Sequence, residues 1–416
     1  MVRIKPFRGL RPQPGLEAKI ASKPYDVLNS EEARKEAEGN PYSFLHVVKS
    51  EIDLPGDLSP YDSRVYEKAA ENLRNFIQNK WLIRDEKPLL YLYGQQMGDH
   101  TQYGLVAAVH VDDYLEGNIK IHELTREVKE KDRIRHVETT NANTGPVFLT
   151  YQASESIDKI LDKVRQAKPV YHFTTPDEVT HSLWIIEDQK MLQTLGNAFE
   201  SLPCAYVADG HHRSKSAAMV GKKRREANPK HTGEEEYNWF LAVFFPHNHL
   251  KILDYNRVVT DLNGLPKKEF VKKVSQKFDV KKVCCAQAAK PAEKHRVGMY
   301  LKGEWYTLKA RPGIFDETDP VDRLDVSVLH RNLLSPILNI GDPRTDDRVD
   351  FVGGIRGLTE LEKRVDSGDM AVAFALYPTS VEELMAIADA GKLMPPKSTW
   401  FEPKLRSGLI IHTLDD

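Results

Sequence analysis

The stretch Cys204-Ala205-Tyr206-Val207-Ala208-Asp209-Gly210-His211-His212-Arg213-Ser214 decides how this chain is read. Cys204 to Ala208 is an apolar run of strand length, and Ser214 to Arg225 is rich in helix formers, among them Lys215, Ala217, Ala218, Met219, Lys222 and Lys223. Strand, turn and helix therefore follow one another, with Asp209-Gly210 at the turn. Glycine there admits backbone angles or a close approach that a side chain would forbid. The unbonded N–H groups of the first helical turn then face outward at the positive end of the helix dipole, where a phosphate binds. His211, His212 and Arg213 add donors, and a guanidinium clasps two oxygens at once. Asp209 is placed to cap the helix, bind a metal or accept a proton. The plainer reading is an Asp-Gly turn beside a satisfied core histidine, but two histidines and an arginine directly after an apolar strand favour the anion loop.

Around this loop the chain is ordinary globular material. Its 416 residues suggest two or three domains or one elaborated pair, and 59 Lys+Arg against 61 Asp+Glu leave a formal net charge of -2. No global basic field recruits nucleic acid or an acidic membrane. The cysteines, Cys204, Cys284 and Cys285, are odd in number and lack a Cys-x-x-Cys spacing, which argues against a disulfide framework or a cysteine zinc site. Met1 to Gly15 is interrupted by Pro6, Pro12 and Pro14 and has no apolar core of a secretory signal; Trp239 to Pro246 and Met370 to Pro378 are too short to cross a bilayer. A soluble, cytoplasmic protein is expected.

Shaped loops are expected at Lys23 to Val27 and Asn40 to Val47, and a helix from Tyr61 to Asn79 with a core stripe of Val65, Ala69, Leu73, Phe76 and Ile77. Strands follow at Leu89 to Tyr93, Tyr103 to Val111, Ile119 to Ile121 and Val147 to Tyr151. Trp239 to Phe245 and Ile252 to Thr260 read as a hairpin turning through Pro246 and Asn248. Beyond it, helix candidates at Lys267 to Lys277, Asp322 to Leu334, Thr359 to Asp366 and Val381 to Asp389 alternate with strands, which suggests a second lobe. The expected division is 1–250 and 251–416, in an α/β, overall α+β, chain.

Four further clusters carry possible chemistry. His122-Glu123-Leu124-Thr125 places Glu123 at a strand's end as a candidate general base, with Thr125 capping a helix whose charges, Arg126 to Arg135, otherwise resemble surface ion pairs. Pro395 to Lys404 is a proline-bracketed loop in which Lys397, Ser398, Thr399 and Lys404 are candidate phosphate ligands; a rigid surface turn is the alternative. Asp342, Asp346 and Asp347 near Arg344 suit Mg2+ less well than water. His247-Asn248-His249 would face one side of a strand, with no third metal ligand at suitable spacing. The P-loop and dinucleotide fingerprints are absent from the sequence, so any phosphate site uses another scaffold.

Taken together, Pro6-Phe7-Arg8-Gly9, Lys23-Pro24-Tyr25-Asp26, Asn40-Pro41-Tyr42-Ser43-Phe44, His122-Glu123-x-Thr125, Ala208 to Arg213, Asn256-Arg257-Val258-Val259 and Pro396 to Lys404 resemble a bacterial domain-of-unknown-function family related to the ParB/sulfiredoxin superfamily. Some of its members are pyrophosphate-dependent L-serine kinases. The resemblance spans nearly the whole chain. It implies a ParB/sulfiredoxin-like mixed-sheet core with a C-terminal α/β lobe, and a diphosphate–serine phosphotransferase that makes O-phospho-L-serine with Mg2+. Gly210, His211, His212 and Arg213 would hold the donor phosphates. Glu123 would be the base for the serine hydroxyl, with Asp209 its competitor. Tyr25, Asp26, Asn40, Tyr42 and Ser43 would supply polar groups to the amino acid. The expected partners are small molecules, L-serine and pyrophosphate, with no nucleic acid and no membrane. An ATP- or ADP-dependent kinase of another small alcohol, or a ParB-like nucleotide-switched binding protein, stays open, as do the metal ligands and the oligomeric state.

Overall fold

The strands His100–His110, apolar from Leu105 to Val109, and Trp239–Pro246, apolar throughout, lie side by side at the centre of a nine-stranded mixed sheet. Alternation is absent because both faces are covered: Leu105, Ala107, Val109, Phe240, Ala242 and Phe244 are buried on one face with Leu149, Phe199 and Leu195, and Val106, Ala108, Leu241, Val243 and Phe245 are buried on the other. Full burial of each larger side chain contributes about 1.5–3 kcal/mol. A computed structural model of the chain describes residues 1–415. The architecture is α+β, in two units: Met1–Leu250 together with the tail from Pro403, and Lys251–Glu402.

In the first unit the sheet runs Ile119–Lys120, Ala205–Asp209, Val147–Tyr151, Trp239–Pro246, His100–His110, Leu90–Met97, Val179–Ile186, Tyr171–Thr174, with Ile4–Lys5 added against His100–His110. Ile119–Lys120 and Ala205–Asp209 are parallel, so the residues that follow each strand emerge on the same side. The helix expected from Tyr61 is Ser63–Gln78, started by the Asp62 carboxylate on the Arg64 N–H; Val65, Ala69, Leu73 and Phe76 are buried, while Ile77 is exposed.

The tail belongs to this unit, which corrects the expectation that it would close the second lobe. Leu10 and Ile411 exchange main-chain hydrogen bonds at 3.0 and 2.8 Å, Ser22 and Ser407 do so at 3.1 and 2.9 Å, and His412–Thr413 pairs with Ala142–Asn143. Arg406, 5 % exposed, bonds Thr175 and Asp177. Apolar Leu409, Ile410 and Ile411 are buried here, a sink that a surface tail would not have.

The second unit is built on a six-stranded antiparallel sheet in the order Phe278–Val283, Glu304–Ala310, Arg296–Leu301, Val372–Ala375, Tyr255–Val259, Val349–Gly353. The expected hairpin does not form. Trp239–Pro246 has both edges paired within the first unit, by His100–His110 and Val147–Tyr151, and the run after the turn is split into Lys251–Leu253 and Tyr255–Val259. The helix expected over Asp322 to Leu334 is Asp325–Leu329 followed by a wider π turn, His330–Leu334. The glycine turn after Val352 serves packing: a β-carbon on Gly353 would lie 2.8 Å from the Trp400 ring.

The helix that matters most below, His211–Ala227, rests on the first sheet and along Glu127–Thr140, with the Ser216 hydroxyl donating to the Glu130 carbonyl. Its closest approach is at Gly221, where a β-carbon would meet the Tyr237 carbonyl oxygen at 2.6 Å. Alanine there gains about 1 kcal/mol of helix propensity, but an overlap with main chain in a packed interior costs about 1–3 kcal/mol. Gly221→Ala should therefore lower stability by about 1 kcal/mol in urea unfolding; a variant as stable as the parent or more so would show that this helix is not held as close as the contact implies.

Candidate functional site

Gly210 joins the strand Ala205–Asp209 to the helix His211–Ala227 with φ 94° and ψ 31°, left-handed angles that an L side chain resists. It is itself the N-cap, and no side chain caps the helix. The expectation that Asp209 caps is thus corrected. One Asp209 oxygen accepts from the Gly210 N–H at 2.8 Å, and the other from Lys404 Nζ at 2.7 Å. The first helical bond runs from the Ser214 N–H to the Gly210 carbonyl, so the N–H groups of His211, His212 and Arg213 precede the helical ladder. A register shift against Val147–Tyr151 between Val207 and Asp209 re-aims the end of the strand.

The parallel pairing with Ile119–Lys120 delivers His122 and Glu123 beside the loop. The imidazoles of His122 and His211 meet edge to face, ring centres 4.4 Å apart at 88°. One ligand-type atom from each of His122, Glu123 and His211 lies within 4.8 Å of the others. Both histidines are buried, while Glu123 is half-buried. Burial drives His122 well below the ordinary imidazole range, aided by His211 and opposed by Asp209. Burial likewise lowers His211 to about 4 against the pull of Asp209. The packed surroundings of Asp209 would raise its carboxyl, but Lys404, then Arg213, hold it at about 2. At neutral pH the imidazoles of His122 and His211 are therefore uncharged, beside an ionised Asp209 neutralised by Lys404 and the Arg213 guanidinium.

Arg213 donates to the Pro146 carbonyl at 3.0 Å and lies 5.2 Å from the Tyr25 ring centre; among the described residues no carboxylate ion-pairs with it. Arg133 covers the same ring at 4.0 Å and pairs with the buried Asp132 at 2.8 Å. Tyr25, Arg133, His136, Asn143, Thr144 and Arg213 contribute to an open recess of about 430 Å³. Gly145 makes room for it, since a β-carbon there would lie 3.2 Å from the Arg213 guanidinium carbon and 2.9 Å from the Ser407 hydroxyl. The site thus brings together Glu123, Asp209, Gly210, His211, Arg213, Lys404 and Tyr25. His212 also lies on the loop, but its Nε2 accepts from the Arg126 N–H at 3.0 Å, which spends that nitrogen on the start of the neighbouring helix.

Other expected residues are used differently. Thr125 does not cap the next helix; its hydroxyl bonds Glu130, and Arg126 is the cap. Asn40 donates to the Lys19 carbonyl at 2.8 Å and accepts from the Tyr42 N–H, Tyr42 packs on Trp81 at 4.6 Å, and the buried Ser43 hydroxyl accepts from the Leu45 N–H at 3.4 Å. These three shape their own loop, and Asp26 is exposed. Lys397, Ser398 and Thr399 belong to the second unit, where the Ser398 hydroxyl bonds the Pro395 carbonyl at 2.6 Å. His247 and His249 form a single helical turn rather than a strand face, and His247 Nδ1 accepts from the Ala153 N–H. Asp342 and Asp346 are paired with Arg344 and Arg348. Arg133 and Gly145 were not foreseen as site residues. Arg133 stood in the sequence among charges that read as a solvated helix face, and Gly145 carried no signal of its own.

The chain belongs to the family described as protein of unknown function, DUF1015, whose model matches residues 4–327. No curated protein matches it. Among solved structures it is similar to a free serine kinase in complex with AMP, at 12 % identity over 71 % of this chain and 86 % of that one, TM-score 0.35. It is similar as well to SbnI with a C-terminal truncation from Staphylococcus aureus, at 12 % identity over 73 % and 85 %, TM-score 0.38. A conserved hypothetical protein from Pyrococcus furiosus shares 11 % identity over 73 % and 93 %, TM-score 0.36. No helix of the described residues is long and apolar enough to cross a membrane.

The neutral imidazoles set a pH dependence. His211 titrates at about 4, and burial lowers His136 and His181 to about 3 each. Between these values and the unfolded value of about 6.5 the unfolded chain binds more protons, so stability falls as pH falls, by up to about 1.4 kcal/mol per pH unit for each group. His46, raised through its hydrogen bond to Asp53, works in the opposite direction but is one group against seven, since His110, His122, His330 and His412 are lowered as well. Urea midpoints measured from pH 7 to pH 5 should drop, most steeply below about 6.5; a flat profile would mean that these rings are solvated.

Proposed function

We propose that this protein is a cytoplasmic phosphotransferase that converts free L-serine and pyrophosphate to O-phospho-L-serine and orthophosphate. The observation that carries the reading is the meeting of a glycine-started helix N-terminus, a guanidinium with donors to spare and a half-buried carboxylate, Glu123, beside the same loop. The loop N–H groups of His211 to Arg213, together with Arg213, would hold the donor's oxygens and stabilise charge on the transferring group. The serine hydroxyl oxygen attacks phosphorus, the bridging P–O bond breaks, orthophosphate leaves, and the hydroxyl proton passes to Glu123.

Asp209 is the weaker base. Both its oxygens are already hydrogen-bonded, and a group held near 2 accepts a proton poorly at neutral pH. Lys404 has a second effect, because an uncompensated Asp209 at this helix end would repel the donor. The recess lined by Arg133, Arg213 and Tyr25 gives a small polyanion two guanidinium groups to approach. Mg2+ is expected on the donor, where it would neutralise phosphate charge. The side chains around the loop do not make a Mg2+ cage: Asp209 is occupied by Lys404, and the groups clustered with Glu123 are the imidazoles of His122 and His211.

Phosphorus NMR of the protein with Mg2+ and L-serine, in parallel with pyrophosphate, ATP or ADP, tests the reading. O-phosphoserine should appear with pyrophosphate; its absence with all three donors would overturn it. Glu123→Gln should lower kcat by about 10²–10⁴-fold with little change in donor KM. Arg213→Ala should instead raise donor KM by about 10–100-fold, as the loss of a charge-assisted hydrogen bond of about 1.5–3 kcal/mol requires. Equal effects of both variants on kcat and KM would remove the division of labour between the two residues.

A further inference from the structure

Two nitrogens next to the phosphate loop have no partner in the folded chain. His122 Nδ1 and His211 Nε2 are buried without a hydrogen bond, in residues that are 2 % and 7 % exposed. An unsatisfied buried polar atom costs about 1–3 kcal/mol, and two of them in contacting rings call for a ligand. The rings approach at 4.4 Å, edge to face, and Glu123 completes the set with an oxygen inside the same 4.8 Å.

We infer that His122, Glu123 and His211 form a binding site for a divalent first-row transition-metal ion of the zinc type. Two imidazoles and one carboxylate are a donor set for zinc, cobalt, manganese or iron, whereas Mg2+ takes oxygen ligands. Metal bonds of about 2.0–2.2 Å require ligand atoms about 3.3 Å apart, so the three side chains close inward from a separation of at most 4.8 Å when the ion enters. Glu123 is half-buried and leaves the ion a way in from solvent, and three protein ligands leave a coordination position for water. Ion binding does not rest on the serine kinase reading. Its consequence does: while Glu123 coordinates the ion it cannot accept the hydroxyl proton, so zinc occupation and turnover exclude each other.

The test uses the full-length protein stripped with chelator and titrated with Co2+ followed by visible absorption, then with Zn2+ followed by calorimetry and metal analysis. The expected result is one Co2+ per chain with a d–d band, displaced by one Zn2+. His122→Ala and His211→Ala should each weaken Zn2+ binding by about 100-fold or more, at least the loss that follows removal of a supporting partner. Arg213→Ala, which removes no proposed ligand, should bind as the parent does. Should either alanine variant fail to fold, His122→Gln and the rise in parental Tm with Zn2+ serve in its place, since an ion that binds only the folded state raises Tm. No cobalt band and no saturable zinc binding in the parent, or unchanged affinity in the histidine variants, would overturn the inference. Stoichiometric zinc binding, with no O-phosphoserine formed by zinc-free protein supplied with Mg2+, L-serine and pyrophosphate, ATP or ADP, would leave this site standing and remove the kinase reading alone.

Discussion

The ion pair between Asp209 and Lys404 is the constraint around which the first unit is arranged. It joins residues 195 positions apart and fixes the end of Ala205–Asp209, the strand next to one edge of the sheet, to a tail that follows the second unit in the chain. The tail is not held by this contact alone. Arg406 reaches Asp177 and Thr175, Ser407 and Ile411 exchange main-chain bonds with Ser22 and Leu10, and Ile410 and Ile411 are buried. Lys404 is thus presented to Asp209 by a pre-ordered segment and loses little further freedom in pairing. A lysine on a mobile loop would have to be ordered first, at a side-chain entropy cost approaching that of the pair itself.

Electrostatically, the pair removes a charge that would work against the loop. An ionised aspartate one residue before a helix start cancels the positive end of the dipole; Lys404 cancels the aspartate in turn. With His122 and His211 both neutral, the remaining positive charge is concentrated in Arg213, backed by Arg133 across the Tyr25 ring. Arg133 is balanced by Asp132, whereas Arg213 has no carboxylate ion-paired with it among the described residues. Gly145 and Gly210 serve the same end by different means. One leaves space beside the guanidinium, and the other takes backbone angles that turn the chain from strand into helix.

The local part of this arrangement was legible in the sequence, because its information is local. An apolar strand, Asp-Gly and a run of helix formers specify strand, left-handed turn and helix within about a dozen residues, and the structure has all three. Glu123 was legible as a carboxylate near a strand; it lies three residues beyond Ile119–Lys120 rather than at the strand's end, and the parallel pairing of that strand brings it to the loop. What depends on distant pairing was not legible. Apolar continuity in Trp239–Pro246 is compatible with a hairpin or a central strand, and only the partners on both edges decide. The same limit hid the tail, since nothing in Pro403 to Thr413 distinguishes a strap on the first unit from the close of the second. Asn40, Tyr42 and Ser43 misled for the opposite reason: polar residues in a shaped loop are also what a loop needs to build itself.

His122 shows why one position carries two readings. In a sequence it is a histidine before a glutamate, and burial in a core with both nitrogens satisfied would make it structural. Its position against His211 leaves each ring with one unsatisfied nitrogen, so neither serves the other as a hydrogen-bond partner. Protonating either ring would place a charge in a buried setting, against His211 for His122 and against His212 for His211, and burial already holds both imidazoles below their ordinary range. A cation shared by the two rings and Glu123 would give the imidazoles a common partner, with the carboxylate as its counter-charge. The base expected of Glu123 and the ligand inferred for it therefore draw on one property, a carboxylate brought to the loop from just beyond a parallel strand, and what it faces at any moment decides which role it takes.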